Sequence, residues 1–353
     1  MPASESTSER STTELQRWVA GQLGRPAAGF ALTPASADAS FRRYFRVEAG
    51  TGAESAGGLA AADSVIVMDA SAERASCAPF VRIARLLDGG GLRVPKILAE
   101  APERGWLLLS DLGRRTYLDV LDADNADDLF TAAIDALIAL QRIGCPTDLP
   151  EYDATLLRRE LELFPDWYLQ KHLQIDIDPG LRADLDNVFS LLIDAILRQP
   201  RVLVHRDFMP RNLMIGEPAL SNAAPGVLDF QDAVCGPIAY DPICLFKDAF
   251  ISWPETRVEN WLRTYWRRAR DAGLPMPASF DDFYRDCDFI GAQRHLKVIG
   301  IFARIRHRDG KPKYVDDVPR FFAYLRGACA RRGELAPLAA LLDRLSVDGV
   351  AVP

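Results

Sequence analysis

The strongest constraint on how this chain can fold is a change of hydrophobic period near residue 114. Upstream, apolar residues fall in short alternating or continuous runs, "FRRYFRV" at 41–47, "SVIVMD" at 64–69 and "GWLLLSDLG" at 105–113. Such runs, bounded by turn residues, read as strands. Downstream, apolar residues recur three and four apart over 125–143, 154–174, 180–198, 255–272, 280–307, 315–332 and 335–346, the spacing of amphipathic helices. Pro165 breaks or restarts the second of these segments. A chain that changes period once folds as α+β: a small, sheet-rich N-terminal lobe over 1–113 and a larger, mainly helical lobe over 114–353.

The sheet-rich part carries helical signals of its own. Ser11 and Glu14 have capping-box spacing, and Leu15, Trp18, Val19 and Leu23 follow at helical intervals, which predicts a helix over 12–24. A second helix is predicted over 77–88, stopped by the glycines of "GGGLRVPKIL". The Gly/Ala-rich stretch 49–63 reads as the connection between two strands.

A single strand cluster, at 201–205, 212–216 and 226–230, interrupts the helices. It holds the chemistry. "VLVHRDFMPRNLMI" at 202–215 reads as strand, loop and return strand, and "GVLDF" then ends a third strand in Asp229. His205, Asp207, Asn212 and Asp229 therefore come from loop and strand ends. Phosphoryl transfer needs this inventory: one carboxylate to orient and deprotonate a hydroxyl, and a second carboxylate plus an amide oxygen for Mg²⁺ on a triphosphate. Carboxylate and carboxamide oxygens suit that hard ion. The histidine fits a bracing role at the strand end. The competing reading is that Asp207 and Asn212 merely form a turn; flanking apolar strands and the later Asp–Phe favour the chemistry.

Charge and composition narrow the partners. A net charge of −7 argues against nucleic acid, which requires a clustered basic surface. Residues 1–14 have no apolar signal region and no later run approaches a bilayer span, so no membrane partner is expected and the location expected is cytoplasmic. The six cysteines lack C-x-x-C spacing and are expected to be reduced, with no zinc site.

"HRDFMPRN" followed by "LDFQD" resembles the catalytic loop and metal strand of the aminoglycoside phosphotransferase and choline kinase superfamily, which shares the protein-kinase-like bilobal fold. With "TPASADASFRRYFRV" at 33–47, "LLLSDLG" at 107–113 and "LDFQDAVCGPIAYD", the chain is similar over most of 30–250 to bacterial kinases of cell-wall recycling. Those enzymes phosphorylate N-acetylmuramate and N-acetylglucosamine at the anomeric hydroxyl. The resemblance implies ATP and Mg²⁺ as cofactors, Asp207 as catalytic base, Asn212 and Asp229 as metal ligands, and an amino sugar as acceptor. It also implies that Asp241 braces the catalytic loop. Within the same fold the alternatives are an aminoglycoside, choline or homoserine kinase; outside it, a catalytically silent nucleotide-binding protein.

Many members of that superfamily hold the phosphates with a strand lysine paired to a helix glutamate. Here the strand reads "VIVMDA", with Met68 or Asp69 in that place, and helix 77–88 has no interior glutamate. Arg42, Arg43 and Arg46 are the nearest replacement cations, and Arg43 is the one carried forward. Ser36 and Ser40 in the glycine-free "SADAS" are candidates for the phosphates, since a tight turn presents N–H groups. Leu109, Asp111 and Leu112 are candidates for the adenine edge. Gln231 and Asp232 are placed near the acceptor. Residues 284–333 hold twelve Lys/Arg against five Asp/Glu, a balance of +7, which suits an anionic acceptor and points to Arg294 as a substrate contact.

Overall fold

The computed structural model describes residues 3–35, 42–48, 64–216 and 223–347. The chain divides into two compact units, one made chiefly of residues up to Arg115 together with Gly226–Gln231, the other of Thr116–Leu213 and the chain from Asp232 onward. The segment carrying Asp229 thus belongs with the N-terminal unit, whereas the sequence reading assigned all of 114–353 to the second lobe.

In the first unit, α1 (Ala3–Leu23) precedes β1 (Thr33–Pro34), β2 (Arg43–Glu48), β3 (Ser64–Asp69), α2 (Cys77–Gly89), β4 (Ile97–Ala101) and β5 (Trp106–Ser110). The five strands form one antiparallel sheet in the order β1-β2-β3-β5-β4. Alternation sets its faces. Val47, Val65, Val67, Trp106 and Leu108 pack under Leu15 and Val19 of α1, while Met68, Leu107 and Leu109 are as deeply buried on the opposite face. That two-sided burial explains the unbroken "WLLL" of β5, an interior strand. The helix start at Ala3 corrects the capping-box reading: Ser11 lies inside α1. Gly105 closes the β4–β5 turn at φ +80°, where a Cβ would stand 2.8 Å from the backbone of Ala70, so this position requires glycine.

The second unit contains α3 (Ala126–Arg142), α4 (Ala154–Leu161), α5 (Pro179–Leu197), β6 (Arg201–Val204) and β7 (Leu213–Met214), whose last residue returns the chain to the first unit, where β8 (Gly226–Val227) lies. After it come β9 (Val234–Pro237), α6 (Tyr240–Phe246), α7 (Glu255–Asp271), α8 (Phe280–Asp309), α9 (Val318–Arg331) and α10 (Ala336–Val347). Between α4 and α5 the chain forms a π-helix, Phe164–His172, with Pro165, the residue that breaks the predicted 154–174 helix, in its first turn. Helix α8 is the spine of this unit and packs against the π-helix, α5, α6 and α9. Gly300 permits its close crossing, since a Cβ there would lie 2.3 Å from the Leu163 backbone.

One strand was not legible in the sequence. β9, "VCGP", pairs antiparallel with β6, Leu203 opposite Cys235 and Val204 opposite Val234. This ladder fixes the strand that leads into the loop at 205–212. It also carries a correction: Cys145 and Cys235 form a disulfide across 90 residues, where reduced thiols were expected. The linkage ties the segment after α3 to β9, a long-range pairing that no local spacing encodes. Among the described residues no helix is long and apolar enough to cross a membrane.

Candidate active site

The loop after β6 is held almost entirely through its backbone. His205 N and Arg206 N donate to the two carboxylate oxygens of Asp241, at 2.8 and 3.0 Å, so Asp241 braces the loop from the start of α6. Burial pushes the Asp241 carboxyl up to about 7, against the pull of those two N–H donors. Arg206 adopts φ +76°, a conformation costly for a side-chain-bearing residue and tolerated where the surroundings over-determine it. Asp207 N donates to His205 Nδ1 at 3.2 Å, which leaves the proton of neutral His205 on Nε2 and gives the buried ring the bracing role. Asn212 Nδ2 donates to the carbonyl of Asp207 at 2.9 Å. That bond joins the two predicted residues and fixes the carboxamide, with Oδ1, the atom a hard cation takes, on its other side.

A buried polar network beneath this loop escaped sequence reasoning. Glu160 of α4 is ion-paired with Arg206 and accepts from Lys297 Nζ at 2.8 Å, from Gln293 Nε2 at 3.1 Å and from the Tyr152 hydroxyl. Lys297 Nζ also reaches the Tyr240 hydroxyl at 3.1 Å. Burial works to raise the Glu160 carboxyl, but Lys297 and Arg206 override it and hold it down to about 2. Because the folded value lies below the ordinary 4.5, the stabilisation is present above pH 4.5 and is lost as pH falls toward 2. From the linkage relation it amounts to about 3 kcal/mol. Glu160→Gln is therefore expected to unfold at lower denaturant than wild type at pH 7. The gap should narrow as pH is taken from 5 toward 2, and a gap independent of pH would remove Glu160 from this role.

In the first unit Asp229 stands just beyond β8, at φ +64°. Three described non-glycine residues have positive φ, and two of them, Arg206 and Asp229, lie in the two chemical motifs; strained backbone of this kind gathers at functional sites. Gln231 Nε2 donates to Asp229 Oδ1 at 2.9 Å. Gln231 is thus an orienting partner of the carboxylate. Phe230 packs on Phe80 of α2 with ring centroids 4.9 Å apart. Asp232 belongs to the second unit and is exposed, and its carbonyl faces Arg206 Nη1 at 3.4 Å.

The nucleotide-side candidates fare unequally. Ser36 and Ser40 lie outside the described residues. Arg43 is ion-paired with Asp69, its partner in the β2–β3 register. Arg46 is engaged with Asp111 and with the Gly113 carbonyl at 2.7 Å. Asp111 also accepts from Ser64 Oγ at 2.6 Å and Gly113 N at 2.9 Å; burial opposes its charge, but the Arg46 and Ser64 donors hold its carboxyl low. These acids are structural partners of the very arginines proposed to replace the strand lysine. Arg42 Nε donates to Ser76 Oγ at 3.4 Å. Leu109 sits in an interior strand with ladders on both sides, and the Leu112 carbonyl accepts from Arg93 Nη2 at 3.1 Å.

The basic segment 284–333 is less available than its sum suggests. Arg285, Lys297, Arg308, Arg320, Arg326, Arg331 and Arg332 each meet a carboxylate within ion-pair distance. Arg294, by contrast, is buried and ion-pairs with none of the described acids.

Among the described residues no group of three or more His, Cys, Asp or Glu converges as a metal cluster. Asn212 in the second unit and Asp229 in the first each carry a side-chain oxygen of the kind a hard cation such as Mg²⁺ takes.

The chain is 57% identical over 314 residues to the N-acetylmuramate/N-acetylglucosamine kinase of Pseudomonas aeruginosa, covering 89% of this chain and 88% of that one. It is 42% identical over 339 residues to the protein of the same name from Neisseria meningitidis, covering 95% and 96%. Among solved structures, the ADP-bound aminoglycoside phosphotransferase APH(2'')-Ib superposes with a TM-score of 0.59 at 14% identity, covering 89% of this chain and 98% of that one; the fold is therefore the kinase-like fold of those enzymes. A model of the phosphotransferase enzyme family matches residues 31–282, a span that includes the braced loop, Asp229 and Asp241, and the chain belongs to that family.

Proposed function

We propose that this protein transfers the γ-phosphoryl group of ATP to the anomeric hydroxyl of N-acetylmuramate and N-acetylglucosamine, amino sugars of cell-wall origin. The observation that carries the reading is the loop in which Asp241 clamps His205 and Arg206 while Asn212 is tied to Asp207. It presents one carboxylate and one carboxamide in a fixed relation, and 42–57% identity to kinases named for these two sugars supports the acceptor class.

In this mechanism Asp207 accepts a hydrogen bond from the attacking hydroxyl, orients it in line with the γ-phosphorus and takes its proton as the new P–O bond forms and the bond to the β,γ-bridging oxygen breaks, releasing ADP. Asn212 and Asp229 would be the oxygen donors for Mg²⁺, which would supply charge neutralisation to the triphosphate when bound. Gln231 keeps the Asp229 carboxylate turned by its hydrogen bond. Arg206 holds the loop through its ion pair with Glu160.

Incubation with ATP–Mg²⁺ and a panel of free sugars, aminoglycosides, choline and homoserine, read by phosphorus NMR, tests the reading. Phosphate on C1 of both amino sugars is expected. Phosphate on C6, or turnover confined to an aminoglycoside, choline or homoserine, would overturn it, and nucleotide binding without turnover on any acceptor would favour a silent nucleotide-binding protein.

A further inference from the structure

Among the described residues, Arg294 is the one buried cation of the helical unit with no carboxylate in contact. It is 2% exposed in the middle of α8. Its only hydrogen bond is a long one, from Nη1 to the Lys247 carbonyl at 3.5 Å. The neighbouring cations are all engaged: Arg206 and Lys297 with Glu160, and Lys247 with Glu255 at 2.9 Å. A guanidinium has five N–H donors, and a buried charge without a partner carries a desolvation cost that folding alone does not explain.

None of the described acids around it forms an ion pair with it. Asp241 gives both oxygens to the catalytic-loop backbone. Asp248, fully buried, accepts from Phe250 N at 3.0 Å through Oδ2, and its Oδ1 has no hydrogen-bond partner. Burial opposes the charge of Arg294, and the carboxyl groups of Asp248 and Asp207 favour it. Helix α6 links Arg294 to the loop that carries Asp207: Cys244 Sγ donates to the Arg206 carbonyl at 3.2 Å, and the Lys247 carbonyl one turn on accepts from Arg294.

Resting on the function proposed above, we infer that Arg294 is the specificity-determining residue of the acceptor site and donates its unpartnered N–H groups to the lactyl carboxylate of N-acetylmuramate. The chemistry of the two sugars sets the geometric requirement. They differ only by that lactyl ether on O3, two ring carbons from the anomeric centre. A cation that reads the carboxylate while Asp207 receives the anomeric proton must stand near Asp207 yet apart from it, and a planar fork suits a carboxylate better than a point charge does. The remaining cations of 284–333 that lack a carboxylate, Arg304, Arg306, Lys311 and Lys313, are half-buried or exposed near the end of α8 and beyond it.

The test compares kcat/KM for N-acetylmuramate, its methyl ester and N-acetylglucosamine in wild type and Arg294→Gln, at saturating ATP–Mg²⁺. The preference for N-acetylmuramate over N-acetylglucosamine should fall roughly 10- to 100-fold in the variant, the range for a hydrogen bond to a charged group. Wild type should disfavour the ester by a similar factor, and Arg294→Gln should treat acid and ester alike. Equal losses on both sugars, or an unchanged acid-to-ester ratio, would overturn the inference. If Arg294→Gln does not fold, Arg294→Lys keeps the buried charge without the fork: a reduced acid-to-ester ratio supports the assignment and an unchanged one rejects it. A wild type that does not distinguish acid from ester rejects it outright. A wild type inert toward both sugars sinks the functional reading itself, and this inference with it.

Discussion

Asp207→Asn is expected to bind ATP–Mg²⁺ with little change while turnover falls roughly 100- to 10,000-fold, the range for removal of a positioned general base. The near-normal binding follows from how the loop is held. Its contacts run through the backbone: Asp241 to the N–H groups of residues 205 and 206, His205 Nδ1 to Asp207 N, and Asn212 Nδ2 to the Asp207 carbonyl. A carboxamide in place of the carboxylate alters none of these. It keeps the shape and an acceptor oxygen for the sugar hydroxyl, but it cannot receive the proton. Calorimetric titration with ATP–Mg²⁺ and a steady-state assay on N-acetylglucosamine together check the expectation. Turnover within about threefold of wild type, well inside the range just given, would assign the proton to another group.

What the sequence made legible divides by range. The helical periodicities at 255–272 and 280–307 correspond to α7 over Glu255–Asp271 and α8 over Phe280–Asp309, because amphipathic spacing and end signals are local. Ser279 caps α8 by accepting from Asp282 N at 3.1 Å, and Gly310 ends it in the left-handed region. The motif residues were legible for a related reason: loop chemistry is written in contiguous residues.

Partnerships across long separations were not. The β6–β9 ladder, the Cys145–Cys235 disulfide and the assignment of Gly226–Gln231 to the N-terminal unit depend on pairings that leave no periodic trace. Charge shows the same limit. The excess of +7 over 284–333 is a true sum, yet ion pairs to Glu160, Asp281, Asp288, Glu334 and Asp343 engage most of it, and only burial singles out Arg294. Glu160 gave no signal at all, being one acid in the charged run "RRELEL", until its partners Arg206 and Lys297 were seen around it.

Asp229→Ala is expected to abolish Mg²⁺-dependent binding of ATP, the second large effect, and the backbone at this position dictates how it must be measured. Asp229 sits at φ +64°, where alanine is strained by about 1–2 kcal/mol while asparagine is tolerated nearly as well as aspartate. Loss of binding in Asp229→Ala alone could therefore report a displaced backbone. Asp229→Asn removes the charge and keeps the conformation, the Phe230–Phe80 contact and an oxygen for Gln231 Nε2 to meet. If the carboxylate holds the cation, both variants lose Mg²⁺-dependent affinity by at least about tenfold, since an ionic oxygen ligand contributes several kcal/mol beside a triphosphate. Weak metal-independent binding of ATP should persist in both. Loss in Asp229→Ala with normal Mg²⁺ dependence in Asp229→Asn would make the residue a backbone element and move the metal to other oxygens.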